Sequence, residues 1–211
     1  MAWYDVNNVQ IEGTYPMVER TTTGIYSLDW ALKGGWPTVG TLTEISGYEH
    51  VGKSTLSYYL AGVLGSGISL CDVEGFDPTY LQTCLATSGY KGNASIVAHL
   101  DKKNKPRPHE QMVFEMVENI GNGTADFGIL DSVGALMPIV ESSADNFEES
   151  WMGRRAQLVA KFCRRSVYWL TNGLSHGNII MVNHIYQMMG GRNQGHTTAG
   201  GDAKKYLAHI R

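Results

Sequence analysis

Residues 47–54 read Gly-Tyr-Glu-His-Val-Gly-Lys-Ser, a complete G-x-x-x-x-G-K-[ST] octet, and nothing else in the chain limits its fold as tightly. A loop of this kind works at the junction of a strand and a helix. Gly47 and Gly52 let the backbone turn sharply and aim successive N–H groups at phosphate oxygens. The helix that follows adds the positive end of its dipole at the same spot. The flanks agree: Thr41–Ile45 predicts a strand and Thr55–Leu64 predicts a helix. The ligand such a loop implies is a nucleotide. Lys53 is expected to reach the β- and γ-phosphates, and the Ser54 hydroxyl to ligate Mg²⁺. Gly47, Tyr48, Glu49, His50, Val51, Gly52 and Thr55 complete the expected cradle.

The rest of the chain alternates strands and helices. Apolar runs at Gly67–Asp72, Ala94–His99, Phe127–Asp131 and Asn178–Asn183 predict further strands. Helices are expected over Pro78–Thr87, Glu110–Ile120 and Met152–Thr171, and Asp101–Pro108 reads as a charged, proline-containing loop. Strands that are apolar without alternation predict an α/β fold, with a mostly parallel twisted sheet and helices on both faces. Such sheets bind ligands beyond the carboxyl ends of their strands. Two long polar connections, Glu141–Ser150 and Tyr186–Gly201, have the length of functional loops.

Composition narrows the class. With 211 residues, 43% hydrophobic and 18% charged, the chain can bury a substantial core and is not of the disordered type. No apolar run approaches the ~18 residues that span a bilayer, and the first residues lack a signal peptide's basic start and apolar stretch. A soluble cytoplasmic protein with no membrane partner is the expectation. Cys71, Cys84 and Cys163 lack C-x-x-C spacing and read as buried reduced thiols. The net charge of −3 gives no bulk signal for nucleic acid, although a local basic stripe can serve.

Three further candidates lie at strand ends. Asp131 closes an apolar strand and is expected to hold Mg²⁺ directly or through water. Glu74, two residues past Asp72, is suited to orienting and polarising the water that attacks a γ-phosphate. Asn183 and His184 close the last strand, at the height where an amide or imidazole could sense that phosphate and report it to the following loop.

These segments together resemble the RecA/RadA recombinase family. Thr23-Gly-Ile-Tyr-Ser-Leu-Asp29 resembles the family's motif ahead of the first core strand, and the octet with its internal Glu49 resembles the RecA phosphate loop. Asp72-Val-Glu-Gly-Phe-Asp-Pro-Thr-Tyr80 is similar to the segment that carries the catalytic glutamate and the adenine contacts. That resemblance implies Glu74 as the water-activating residue, alongside the catalytic Lys53, with Asp77 and Tyr80 near the base. Leu130–Pro138 and Thr197–Tyr206 are similar to the Walker B exit and to the end of the second DNA loop. Val182-Asn-His-Ile-Tyr186 has His where bacterial RecA has Gln, a form that resembles phage UvsX-type recombinases.

The resemblance implies an ATP- and Mg²⁺-dependent recombinase that forms homo-oligomeric helical filaments on single-stranded DNA and pairs it with duplex DNA, in a bacterial or phage-infected cell. It matches the two DNA loops to residues 139–152 and 185–199. Met152 and Met189 then match base-wedging residues, Arg164 a phosphate contact, and Gly200 and Gly201 backbone amides that hold phosphate. Arg192 is the one arginine or lysine of the second loop, whose other family cation positions are Tyr186 and Met188 here. The first loop carries Glu141, Asp145, Glu148 and Glu149, whereas Arg154, Arg155, Lys161, Arg164 and Arg165 make the helix after it basic. Residues 1–20 are expected to be an N-terminal segment with a docking strand around Val9, Ile11 and Tyr15. Residues 21–211 are the expected RecA-like P-loop core, ending at Arg211 inside an expected strand. A RecA-fold ATP-binding paralogue or mediator resembling KaiC or RadB, or a hexameric helicase motor, is the alternative on the same fold.

Overall fold

The computed structural model describes residues 19–38, 40–75, 77–142, 153–173, 177–187 and 196–211. Its centre is a sheet built from β3 (Thr41–Gly47), β4 (Gly67–Asp72), β5 (Asn93–Ile96), β6 (Phe127–Asp131) and β7 (Asn178–Gln187). These lie in the order β3-β7-β6-β4-β5, and every neighbouring pair is parallel. A short sixth strand, β8 (His196–Thr198), pairs antiparallel with the end of β7. Ahead of the sheet, β1 (Arg20–Thr21) and β2 (Trp36–Pro37) form a small antiparallel ribbon around α1 (Tyr26–Ala31).

Side-chain alternation divides the core into two layers. Leu70, Ile129 and Ile180 face α2 (Lys53–Leu64) and α3 (Pro78–Ser88), where they pack with Leu60, Leu81 and Leu85. Their chain neighbours Cys71, Leu130 and Met181 face α4 (His109–Gly121) and α6 (Arg154–Asn172), packing with Met116, Val117, Val159 and Phe162. Each central strand therefore needs apolar residues at successive positions, which is why these runs do not alternate in sequence. The edge strand β5 is the exception, being shorter than the expected Ala94–His99 and exposed throughout. The chain leaves β4 through α3 on one face and leaves β6 through the short α5 (Ile139–Ser142) toward α6 on the other. The loops above β4 and β6 consequently diverge and open a crevice. There Asp72 and Asp131 are register partners.

The expected helices and strands form within a few residues of their predicted bounds, apart from the region after Asn183. β7 continues to Gln187, and β8 pairs back on it through Ile185–Thr198, Tyr186–Thr197 and Gln187–His196. Both ends of the expected polar connection Tyr186–Gly201 are thus the arms of a hairpin. Beyond it, α7 (Ala203–Leu207) leads to His209–Arg211 along the free edge of β3, where the Ile210 carbonyl accepts the Glu44 amide at 2.9 Å. The three cysteines are buried and free, as expected, and burial pushes the Cys71 and Cys163 thiols up to about 12. Among the described residues, no helix is long and apolar enough to cross a membrane. The expected N-terminal docking strand lies outside the described residues.

Candidate active site

The octet forms the turn between β3 and α2. Gly52 caps α2 with φ +87°, a left-handed conformation that costs glycine nothing and strains other residues. Lys53 begins the helix, is buried, and donates from Nζ to the Tyr48 carbonyl at 2.6 Å. Its ammonium is therefore folded back over its own loop, held by a carbonyl that a phosphate oxygen could replace. Glu49, His50, Gly52, Lys53, Ser54 and Thr55 form one wall of a hollow of about 670 Å³. Glu74, Tyr80, Asp131, Gly134, Ala135, Val182, His184 and Tyr186 supply the rest.

Not every expected contact lines this hollow. Gly47 and Val51 shape the loop from outside it. The Tyr48 ring turns away, and its hydroxyl meets His196 Nδ1 on β8 at 3.2 Å. Asp77 also departs from the expectation of a base contact. Its carboxylate caps α3 by accepting the Thr79 and Tyr80 amides at 2.9 and 3.2 Å, which is what an Asp-Pro pair at a helix start favours. Tyr80 does face the hollow, with its hydroxyl against that of Thr55.

Three carboxylates gather at the strand ends. Asp131 is buried and bonded to the Ser54 hydroxyl. Burial pushes its carboxyl up to about 6; the Ser54 bond opposes the shift, and the Asp72 and Glu74 charges add to it. Asp72 accepts the Glu74 and Gly75 amides at 3.0 and 2.9 Å, which fixes the turn that carries Glu74. Tyr58, one turn beyond Ser54 on α2, places its hydroxyl 3.4 Å from Asp72 and 3.5 Å from Asp131. Burial and these two carboxylates hold its phenol far above the usual range, so it remains a donor. Among the described residues, no three or more acidic, His or Cys side chains gather to hold an ion unaided. A Ser54–Asp131 pair of hard oxygens suits Mg²⁺, which binds through one or two protein oxygens plus phosphate and water.

Glu74 lies opposite the phosphate loop. Its Oε1 accepts from the Ser132 hydroxyl and meets His184 Nε2 at 3.0 Å. The Asp131–Ser132 peptide bond that carries this serine is cis. The imidazole also tilts against Tyr186, with ring centroids 6.5 Å apart, and its Nδ1 is buried without a hydrogen-bond partner. Glu74 and His184, expected separately at two strand ends, are in direct contact.

Asn183 corrects its expectation. As the residue before His184 on a strand, it points to the opposite face. It is fully buried, and its amide nitrogen donates to Glu44 Oε1 at 2.8 Å and to the Ala199 carbonyl at 2.9 Å. Its amide is committed inside the protein and does not reach the hollow. It ties β3 to the return of the second loop.

A buried lysine just beyond that return anchors it. Lys204 has no exposure and donates to the Gly201 carbonyl at 2.7 Å, with its ammonium 4.0 Å from Glu44. Arg211 adds a 2.7 Å bond to the same carboxylate. Gly200 has φ +91°, and a Cβ there would lie 2.9 Å from Val133 and Val159, so the turn presses directly on α6. Arg164 is exposed on α6 and lies farther along that helix, in a hollow shared with Phe114 of α4. Met152, Met189 and Arg192 lie outside the described residues. Sequence reasoning missed Ser132, Tyr58 and the Glu44 cluster; of these only Tyr58 left a signal, its one-turn spacing from Ser54.

The RecA N-terminal domain family matches residues 9–211. Protein RecA of Chlorobaculum parvum is 31% identical over 202 residues, covering 92% of this chain and 54% of that protein. Protein RecA of Trichodesmium erythraeum is 32% identical over 208 residues, covering 95% and 53%. The chain spans about half the length of the curated relatives it matches. Among solved structures, the crystal structure of the RadB recombinase aligns with TM-score 0.55 at 18% identity, covering 92% of this chain and 81% of that one. That likeness concerns the fold.

Proposed function

The chain belongs to the RecA family, and from that premise we propose that it is the ATPase core of a DNA recombinase. It binds ATP with Mg²⁺, assembles on single-stranded DNA and supports homologous pairing. The observation that carries this reading is the contact of Glu74 with His184 across the hollow from the phosphate loop. The glutamate has the chemistry to activate water, and the histidine stands on the strand that becomes the second loop. One hydrogen bond therefore spans the hydrolytic and DNA-facing parts of the molecule.

In this reading Lys53 exchanges its carbonyl partner for phosphate oxygens, and Ser54 and Asp131 would hold Mg²⁺, which would supply positive charge to the phosphates. Glu74 accepts a proton from the attacking water, with Ser132 and His184 fixing its orientation. A change at the γ-phosphate position alters the Glu74–His184 contact and hence the β7–β8 hairpin. Asn183 and Lys204 hold the far end of that hairpin to β3. Gly200, Gly201, Arg164 and the loop residues Met152, Met189 and Arg192 meet DNA backbone and bases.

A RecA-fold ATPase that regulates a recombinase is the second reading. It is favoured by the four acidic residues at 141, 145, 148 and 149 and by the single cation, Arg192, in the second loop.

Two variants test the nucleotide chemistry. Lys53→Ala is expected to abolish binding of a fluorescent ATP analogue. Glu74→Gln is expected to keep that binding while slowing hydrolysis by about 10²-fold or more. Hydrolysis at the parent rate in Glu74→Gln would remove Glu74 from its role.

A further inference from the structure

The turn between β3 and α2 makes one contact that the nucleotide chemistry does not use. Tyr48 is 56% exposed, with its ring turned away from the hollow. Both of its polar ends are nonetheless held. Its backbone carbonyl accepts from Lys53 Nζ at 2.6 Å, and its hydroxyl meets His196 Nδ1 at 3.2 Å. The two rings meet edge to face, with centroids 5.9 Å apart. One residue therefore touches both the lysine expected to reach for phosphate and the first residue of β8.

Strand register explains why these two residues meet. The pairing of β3 with β7 ends at Gly47 and His184, and that of β8 with β7 begins at the next residue, Ile185. Strand β8 thus takes up the pairing of β7 where the phosphate loop turns away. Its two ends are anchored differently. Beyond Thr198, the Ala199 carbonyl accepts from Asn183 at 2.9 Å and the Gly201 carbonyl from Lys204 at 2.7 Å. Neither of those donors faces the hollow. At the His196 end, where the second loop returns, β8 is held by its pairing with Gln187 and by Tyr48. Of these two, only Tyr48 belongs to the loop that a nucleotide fills.

The consequence depends on which phosphate is present. A lysine at this position reaches both β- and γ-phosphates, whereas the Glu74–His184 contact invoked above answers to the γ-phosphate alone. A diphosphate draws Lys53 from the Tyr48 carbonyl and leaves Glu74 and His184 as they are. The carbonyl then loses a charge-assisted hydrogen bond, one of the stronger kinds in a protein. Tyr48, with more than half of its surface in solvent, has room to turn. We propose that Tyr48 is a second link between the nucleotide and the second loop: it registers the β-phosphate through Lys53 and loosens β8 through His196. The inference rests on the nucleotide-binding reading above and deepens it. The second loop distinguishes an empty site from one holding ADP, and does so by a route separate from the γ-phosphate contact.

The test is hydrogen exchange on the full chain without DNA, read residue by residue and corrected for intrinsic rates. Saturating ADP is expected to speed exchange of the amides that pair Ile185–Gln187 with His196–Thr198 by about fivefold, the worth of one hydrogen bond, while Ile129 in β6 is unchanged. In Tyr48→Phe, which keeps the ring and loses the hydroxyl, the same amides are expected to exchange faster without nucleotide and to show no further response to ADP. His196→Ala is expected to behave likewise while binding a fluorescent ADP analogue as the parent does. His184→Ala is expected to keep the ADP response, since it removes only the γ-phosphate route. An ADP response that persists in both Tyr48→Phe and His196→Ala, or that is lost in His184→Ala, would overturn the inference. So would a parent protein that binds ADP with no change at β8; each of these results leaves the ATPase reading intact. Failure of the parent to bind ADP at all would sink both readings.

Discussion

Glu44 carries more of the structure than its place in a strand suggests. Its side chain has no solvent exposure, yet it receives the Asn183 amide, the Arg211 guanidinium and, at 4.0 Å, the Lys204 ammonium. Removing one partner of such a cluster leaves buried charge uncompensated, which costs far more than an exposed pair is worth. Glu44→Gln keeps the shape and the Asn183 contact but leaves Lys204 without its anion. It is expected to lower stability by about 3 kcal/mol, measured as an earlier urea midpoint with an unchanged slope; a parent-like midpoint would show that Lys204 is neutral or solvated in the fold. None of this was legible in sequence, because Asn183 is 139 positions away and no local rule links the two. Gly52, Lys53, Ser54 and Asp131 were legible because backbone turn, helix start and strand end are local demands that restrict residue type. Asn183 and His184 read alike as polar strand-end residues. Only the parity of the strand separates the buried tether from the side chain that faces the hollow.

At the scale of elements, α4 holds the segment leading into the first loop. His109 Nδ1 accepts the Met137 amide at 3.1 Å, and Glu110 Oε1 accepts the Ile139 amide at 2.8 Å. Burial lowers the His109 pKa below its ordinary 6.5, with the Glu110 charge opposing. The folded protein thus binds fewer protons at this site than the unfolded chain, and stability rises with pH across the interval. The contribution is complete above about 6.5 and is lost as pH falls toward the folded value. Protonation also removes the lone pair that Met137 uses. Hydrogen exchange corrected for intrinsic rates is expected to show Met137 losing protection below about pH 6.5 while Ile129 in β6 keeps it. Equal protection of Met137 across that range would contradict the assignment. Helix α4 itself was readable from its apolar period, but its grip on Met137 was not, since a histidine at a helix start has no fixed partner. The same limit explains β7. The apolar run stops at Asn183, while the strand continues to Gln187 because β8 supplies pairing partners from beyond the loop.

At the scale of the molecule, the order of strands and helices was readable because every central strand is buried on both faces. The strand order β3-β7-β6-β4-β5 was not, since pairing choice depends on contacts distant in sequence. That order brings Asp72 and Asp131 together at the divergence of the loops, and it sets β7 beside the strand that carries the phosphate loop. The proposed function is an ATPase whose turnover answers to DNA. The central measurement is steady-state ATP hydrolysis by the full chain, with and without single-stranded DNA, at low and high salt. Strong stimulation by DNA that weakens as salt rises is expected, because phosphate contacts release counterions. ATP bound and hydrolysed at a rate that DNA does not change at either salt concentration would contradict it.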